Sequence, residues 1–159
     1  MSTDSISKLA FGFADAFSMK KQAVDKILSC NEGSAERGLI ITMQQAEALV
    51  KTSRAALEKN GRIEFGSGVV DKIISAFYTS DYISPDNYEE TLHELVSIFY
   101  EFKNETCDVV SDDELIGFMR IYFDGCCHGS AELLASSVLV QLSLHIRSGK
   151  PFKAFRYKA

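Results

Sequence analysis

The sequence lacks several features that indicate particular classes of protein. Its 159 residues include no tryptophan, two prolines and four cysteines, and the formal net charge is −5. No apolar run approaches the length of a membrane span, so we expect no membrane association. The mild excess of acidic residues argues against broad binding to nucleic-acid phosphates. No secretory signal is evident, so we expect a cytoplasmic protein with reduced thiols.

Motifs of several well-known chemistries are also missing. The chain has neither a glycine-rich phosphate-binding loop nor a serine-centred nucleophile elbow. The acidic residues Asp108, Asp112, Asp113 and Glu114 lack the alternating ligands and the closing glutamate of a calcium loop. We therefore interpret them as a solvated loop and helix cap, and we expect no cofactor.

The chain is instead rich in helix-start signals, each followed by apolar residues at helical spacing. Thr42 with Gln45, and Ser111 with Glu114, have the spacing of capping boxes, whose side chains satisfy free N–H groups of the first helical turn. These signals and the apolar periodicity predict six helices. The predicted helices span residues 19–31, 43–59, 69–78, 85–104, 112–123 and 131–147.

Three further helix starts are indicated by serine caps, of which the one at Ser130 is weaker. Ser18 is a candidate cap for the first helix, and Ser130 for the last. Ser84 followed by Pro85 predicts a helix with proline at its first position, where the missing N–H group is no loss.

The last predicted helix, residues 131–147, has an ambiguous pattern. Apolar residues from Val138 to Ile146 alternate as in a strand, but they also recur at every fourth position, as in a helix. We favour a helix that is apolar on most sides and therefore central, because a cap precedes it and Gly149 follows it. A strand is the alternative.

The predicted elements form a single all-α domain over residues 1–159, an irregular bundle of about six helices with a central apolar C-terminal helix. Residues 1–18 are expected to form an N-terminal arm, and residues 150–159 form a basic and aromatic tail. Leu9–Phe17 and Phe152–Tyr157 are candidate surfaces for homo-oligomerisation, because exposed apolar patches often mark contacts.

Glu90 and His93 are a candidate pair of metal ligands. The Glu-x-x-His spacing places both side chains on one helix face, as in di-iron bundles, but such a site needs a second copy of the motif and two further glutamates. No other predicted helix has that motif. We therefore interpret His93 as a solvent-facing or hydrogen-bonded histidine.

Two thiols and an imidazole lie between the last two predicted helices, at Cys126, Cys127 and His128. A thiolate near the start of the last helix would be stabilised by the helix dipole, as a redox-responsive or metal-responsive site requires. The spacing does not match that of zinc sites, since Cys30 and Cys107 are single. We favour small apolar residues that fill a tight junction and keep thiol chemistry as the alternative.

Residues 147–158 contain five basic and three aromatic residues and no acidic residue. This composition can bind nucleic acid through base stacking and phosphate pairing. It can equally pack its rings on the bundle while its cations meet the acidic surface. We favour docking, because the rest of the chain offers no wider basic surface.

Four stretches of the chain share a pattern with a known family. They are Asn60-Gly61-Arg62-Ile63-Glu64, Asp86-Asn87-Tyr88 with Glu94-Leu95, Phe102-Lys103-Asn104-Glu105, and Ser111-Asp112-Asp113-Glu114-Leu115 continuing through Phe118-Met119 to Phe123-Asp124-Gly125. With these residues the chain resembles a bacterial family of unknown function found chiefly in anaerobic Gram-positive bacteria. The resemblance covers about Gly38 to Gly149 and implies a bacterial cytoplasmic protein without supplying any catalytic residue.

The sequence favours a non-catalytic helical module that binds or regulates an unidentified protein partner. No composite catalytic site is evident, and helical bundles present grooves to partner helices. A thiol-based redox or metal-responsive function at Cys126, Cys127 and His128 is the alternative. Nucleic-acid binding through the tail is the weaker alternative.

Overall fold

The computed structural model describes residues 17–64 and 66–159. Within these residues the regular structure is helical and includes no strand, which confirms the all-α prediction. Residues 17–29 are helical (α1). The other helices are α2 (Asn31–Ser34), α3 (Met43–Lys59), α4 (Val70–Phe77), α5 (Tyr88–Glu105), α6 (Asp112–Asp124), α7 (Ala131–Leu133) and α8 (Leu139–Arg147), with 3₁₀ turns at Ala35–Arg37 and Phe152–Ala154.

The predicted N-terminal arm and most of the candidate association segment Leu9–Phe17 lie outside the described residues. Residues 17 and 18 are described and are helical. Ser18 therefore lies within α1, and its predicted role as the cap of that helix is wrong.

Local signals define both ends of α3. Thr42 Oγ1 accepts a hydrogen bond from the Gln45 N–H at 3.2 Å, and Gln45 Oε1 accepts one from the Thr42 N–H at 2.9 Å. This capping box is confirmed, as is the one that joins Ser111 and Glu114 at α6. At the other end of α3, Gly61 has a φ of 63°, a left-handed conformation that costs glycine little.

The predicted start of α5 at Ser84 and Pro85 is wrong, because α5 begins at Tyr88. The Asn87 side chain accepts a hydrogen bond from the Ser84 N–H at 2.9 Å and donates one to the Tyr82 carbonyl at 3.0 Å. These bonds close a turn ahead of the helix, and Pro85 belongs to that turn.

Residues 131–147 are helical throughout, which excludes the strand alternative. They comprise α7, a π-helical segment at Leu134–Val138, and α8. Ser130 Oγ accepts a hydrogen bond from the Leu133 N–H, which confirms the predicted cap. One face of this helix is buried in the core, but Leu133, Val140 and Leu144 on the other are exposed. The helix is therefore apolar on most sides yet covered on only one.

The core is built around the packing of α3 on α5 and of α4 on α5 and α6. Buried rings fill its centre, as in the edge-to-face pair of Phe77 and Phe123, whose centroids are 5.3 Å apart. Within the described part of the chain, the structure contains no helix that combines the length and the apolar character of a membrane span.

Candidate functional site

His93 is hydrogen-bonded between two helices, as one of the two interpretations of this residue predicted. Its Nδ1 lies 2.6 Å from Oγ1 of Thr52 on α3. Its Nε2 lies 3.6 Å from Oε1 of Glu89, one turn earlier on α5. Glu90, the partner considered from the sequence, is exposed and forms no ion pair with His93. Among residues 17–64 and 66–159, no three histidine, cysteine, aspartate or glutamate side chains are grouped as metal ligands.

The contacts of His93 continue to the start of α3. Gln45 Nε2 donates a hydrogen bond to Glu89 Oε2 at 2.9 Å, while Gln45 Oε1 belongs to the capping box. The four side chains of Gln45, Glu89, His93 and Thr52 therefore form one connected chain, which we call the His93 relay. The i, i+4 spacing of Glu89 and His93 was a signal in the sequence. No sequence signal pointed to Thr52, because its contact with His93 depends on how α3 packs against α5.

A groove between α3 and α5 opens beside the His93 relay, with a volume of about 340 Å³. Thr52 is the member of the relay that lines it. Small side chains form part of its wall, and polar side chains surround them. The lining residues are Thr52, Ala55, Ala56, Lys59, Asn60, Ser97, Glu101 and Glu105.

The two neighbouring cysteines differ in environment. Cys126 is exposed, whereas Cys127 is 2% exposed and belongs to the hydrophobic core. Burial, reinforced by the adjacent Cys126, raises the pKa of Cys127 to about 11. Cys127 therefore fits the interpretation as a small apolar residue, and its burial opposes the stabilised thiolate considered for this position. Cys126 does not fit that interpretation.

His128 is oriented toward Tyr82. The Tyr82 hydroxyl oxygen lies 3.4 Å from His128 Nδ1, and the two rings are 6.4 Å apart in an edge-to-face arrangement. His128 has a left-handed φ of 47°. Within the described residues, no hydrogen bond joins this imidazole to either thiol, so the structure does not assemble the cysteine–histidine pair considered from the sequence.

The C-terminal tail docks on the bundle, as predicted. Phe155 is 6% exposed, and its ring centroid lies 5.5 Å from that of Phe118 on α6. Tyr157 packs at 6.0 Å on Tyr122, also on α6. The Gln141 side chain accepts a hydrogen bond from the N–H of Lys158 and donates one to its carbonyl. The rings of Phe152–Tyr157 therefore pack on their own chain and are not the exposed patch proposed for self-association.

Most cations of the tail do not meet the acidic surface, so that part of the prediction holds for Arg147 alone. Among the five basic residues, Arg147 pairs with Glu105 at 2.6 Å. The other four form no ion pair with any residue that the structure describes; they are Lys150, Lys153, Arg156 and Lys158. Four positive charges thus remain uncompensated on a chain whose net charge is −5.

Two of these cations border an exposed apolar side chain. Leu144 on α8 is 63% exposed, and Val140, one turn earlier, is exposed as well. Leu144, Lys150 and Arg156 line one open cavity of about 360 Å³. We call the group formed by Val140, Leu144, Lys150 and Arg156 the C-terminal surface. Sequence reasoning treated the tail and the last helix separately and did not find it.

The resemblance to a family of unknown function is confirmed by a match to that family's model. Residues 26–151 match a family of unknown function, DUF6323. The chain belongs to this family. No match was found among curated proteins or among solved structures.

Two of the stretches that resemble the family are joined by an ion pair in this DUF6323 protein, and a third contacts the connection between them. Arg62 donates hydrogen bonds to both carboxylate oxygens of Asp108, at 3.0 and 2.5 Å. Lys103 pairs with Asp112 at 3.0 Å and donates a hydrogen bond to the Val110 carbonyl. These contacts hold the α3–α4 connection and the α5–α6 connection against the end of α5. Residues of the family pattern therefore have a structural role here.

The acidic residues near the start of α6 are more than a solvated loop. Asp108 and Asp112 form the ion pairs described above, and Asp113 pairs with Lys72 on α4 at 3.3 Å. Glu114 completes the capping box of α6. Each carboxylate of the cluster thus has a partner within the DUF6323 fold.

Proposed function

We propose that this DUF6323 protein is a helical module that binds an acidic amphipathic helix of a partner protein at its C-terminal surface. The observation that carries the proposal is the exposure of Leu144 in a cavity that Lys150 and Arg156 also line. An exposed leucine beside uncompensated cations is suited to a partner that supplies both apolar contact and negative charge.

The outer face of α8 provides the apolar part of the interface. Val140 and Leu144 are four residues apart, so their side chains lie on one face of the helix. Leu133 adds a further exposed apolar side chain near the start of the same continuous helix. An amphipathic helix that lies along this face would bury its own apolar stripe against these residues.

The tail provides the charge. Lys150, Lys153, Arg156 and Lys158 are free of ion pairs within the described residues, although the chain as a whole is acidic. Contacts of the tail with His145 and Gln141 hold this charge beside α8. An acidic partner would be attracted to this part of the molecule and repelled by much of the remainder, which favours one binding orientation.

Nucleic acid is a less suitable partner for the same cations. Binding of single strands depends on aromatic rings whose faces are free to stack on bases. Here Phe155 is buried, and Phe152 and Tyr157 pack on the rings of Phe118 and Tyr122. The exposed Leu144 would also gain little from contact with phosphates.

Fluorescence anisotropy with a model peptide tests the proposal. The peptide is helical, with leucines at i, i+3, i+4 and i+7 and glutamates on the flanking positions. We expect salt-sensitive binding to the full chain. Leu144→Glu and the double variant Lys150→Glu with Arg156→Glu should each weaken binding by roughly tenfold or more, as expected for central interface positions.

Two matched variants control for nonspecific effects. Ile40 is exposed to a similar extent as Leu144 but lies between α2 and α3, and Lys21 is an exposed cation on α1. Ile40→Glu and Lys21→Glu should bind the peptide as the parent chain does. The proposal is contradicted if the parent does not bind, if Leu144→Glu has no effect, or if a single-stranded oligonucleotide binds more tightly than the peptide.

A further inference from the structure

The His93 relay places a hydroxyl, an imidazole and a carboxylate in series at the edge of a groove. We propose that the α3–α5 groove is an ester-cleaving site in which Thr52 is the nucleophile and His93 the general base. This inference is independent of the binding function proposed above, because it uses neither α8 nor the tail. A nucleophile within hydrogen-bond reach of a base, with the base oriented by a third group, is the arrangement that covalent catalysis by a hydroxyl requires.

The geometry assigns each side chain a role. With its proton on Nε2, on the side of Glu89, the His93 ring accepts the Thr52 proton at Nδ1 over 2.6 Å. Glu89 is a positioning residue, since its carboxylate lies 3.6 Å from Nε2 and stabilises the imidazolium that forms. Gln45 in turn holds Glu89 through a hydrogen bond of 2.9 Å.

The proposed reaction is an acyl transfer in two halves. Thr52 Oγ1 bonds to the ester carbonyl carbon while its proton passes to His93 Nδ1. The bond from the carbonyl carbon to the alkoxy oxygen then breaks, and the departing alcohol takes that proton from Nδ1. Water, deprotonated by the same nitrogen, attacks the acyl group on Thr52, and the carboxylic acid leaves as Oγ1 regains its proton.

The groove residues indicate the class of substrate. Lys59 lies seven residues after Thr52, on the same face of α3, and lines the same groove, so the groove wall carries a positive charge that favours an oxyanion. Ala55 and Ala56 leave room for a small acyl group. Glu101, an exposed carboxylate in the lining, disfavours anionic esters. We therefore infer a short-chain ester of an uncharged or cationic alcohol.

Acylation by p-nitrophenyl acetate, followed by intact mass and peptide mapping, tests this site in the full chain. We expect a single acetyl group on Thr52 and none on Thr52→Val. Thr52→Ser retains the hydroxyl and should still be acylated. His93→Gln should be acylated at least 100-fold more slowly, since a general base typically contributes this much. Glu89→Gln should lower the maximal rate of acylation without changing the half-saturating ester concentration.

Thr91→Val is the matched control, because Thr91 is a threonine on α5 that neither lines the groove nor belongs to the relay. It should be acylated as the parent is, and circular dichroism should show that every variant is folded. The proposal is overturned if the parent is not acylated, if the acetyl group maps to a residue other than Thr52, or if a folded His93→Gln variant reacts as fast as the parent.

Discussion

The hydroxyl oxygen of Tyr100 lies 2.7 and 2.9 Å from the two carboxylate oxygens of Glu64. This contact fixes the α3–α4 connection to α5. Tyr100 is only 1% exposed, and Glu64 is half-buried. Burial raises the pKa of Glu64, and the hydrogen bond from Tyr100 opposes that effect only in part. The pKa of Tyr100 is also raised, by burial and by its contact with the carboxylate.

Replacement of Glu64 with glutamine should change how stability depends on pH. A raised pKa means that the folded state holds the Glu64 proton more tightly than the unfolded chain does. The stability gained from tighter proton binding at Glu64 is therefore complete below the ordinary pKa of 4.5. It is lost as the pH rises through the pKa of Glu64 in the folded state. Urea unfolding should show Glu64→Gln gaining stability relative to the parent between pH 4 and pH 7.

Asp108 provides a control of opposite sign, because hydrogen bonding by Arg62 lowers the pKa of Asp108. The stability gained from the ionised Asp108 carboxylate is present above the ordinary pKa of 3.8. It is lost as the pH falls through the pKa of Asp108 in the folded state. Asp108→Asn should thus be less stable than the parent at pH 7, with a smaller difference under acid conditions. If the Glu64→Gln difference does not change with pH, the environment assigned to Glu64 is incorrect.

Gly129→Ala should destabilise the fold through a steric conflict. A Cβ atom at Gly129 would lie 2.4 Å from the Tyr82 Cβ, and the backbone there has a φ of 80°. Overpacking and left-handed strain together predict a loss of roughly 3 kcal/mol in the free energy of unfolding. Gly61→Ala, at a φ of 63° with open space around it, should lose only about 1 kcal/mol. Equal losses in the two variants would contradict the packing of Tyr82 on Gly129.

Phe155→Ala tests whether the docked tail contributes to stability. Loss of a buried phenylalanine should lower the free energy of unfolding by about 3 kcal/mol. Lys153→Ala, an exposed tail residue without an ion pair among the described residues, should change it little. A chain that ends at Gly149 should be destabilised at least as much as Phe155→Ala. Unchanged melting of that shortened chain would show that the tail does not hold to the bundle.

The cysteines should differ in their rates of alkylation by iodoacetamide at neutral pH. Cys126 and Cys107 are exposed and should react in the native protein. Cys127 should react only after unfolding, because it is buried and its pKa of about 11 leaves almost no thiolate. Peptide mapping after timed quenching separates the three sites. Equal native rates at Cys126 and Cys127 would contradict the buried environment of Cys127 and favour the thiol-based hypothesis.

Sequence reasoning succeeded where structure depends on neighbouring residues. The capping boxes at Thr42 and Ser111 are satisfied within a few residues, so their spacing was sufficient. It failed at Pro85, because the Asn87 side chain closes a turn that competes with the first turn of the helix. Ser84 and Pro85 are also a local start signal, and only the hydrogen bonds of Asn87 show that the helix begins later.

The candidate sites depend on contacts between elements distant in the sequence. The pattern identified His93 but paired it with Glu90, and its contact with Thr52 spans 41 positions. Docking of the tail followed from its aromatic residues. The absence of ion pairs at Lys150, Lys153, Arg156 and Lys158 among the described residues was not evident from the sequence, because ion pairing depends on which carboxylates the fold brings near.

We infer above all that one binding surface is formed by Val140, Leu144, Lys150 and Arg156 together. Titration of the isotopically labelled full chain with the acidic amphipathic peptide, followed by amide chemical shifts in NMR spectra, tests this most directly. We predict the largest shifts along α8 and at residues 150–156, with little change around Thr52 and Ser97. Shifts that are absent, or that concentrate away from α8 and the tail, would contradict the account.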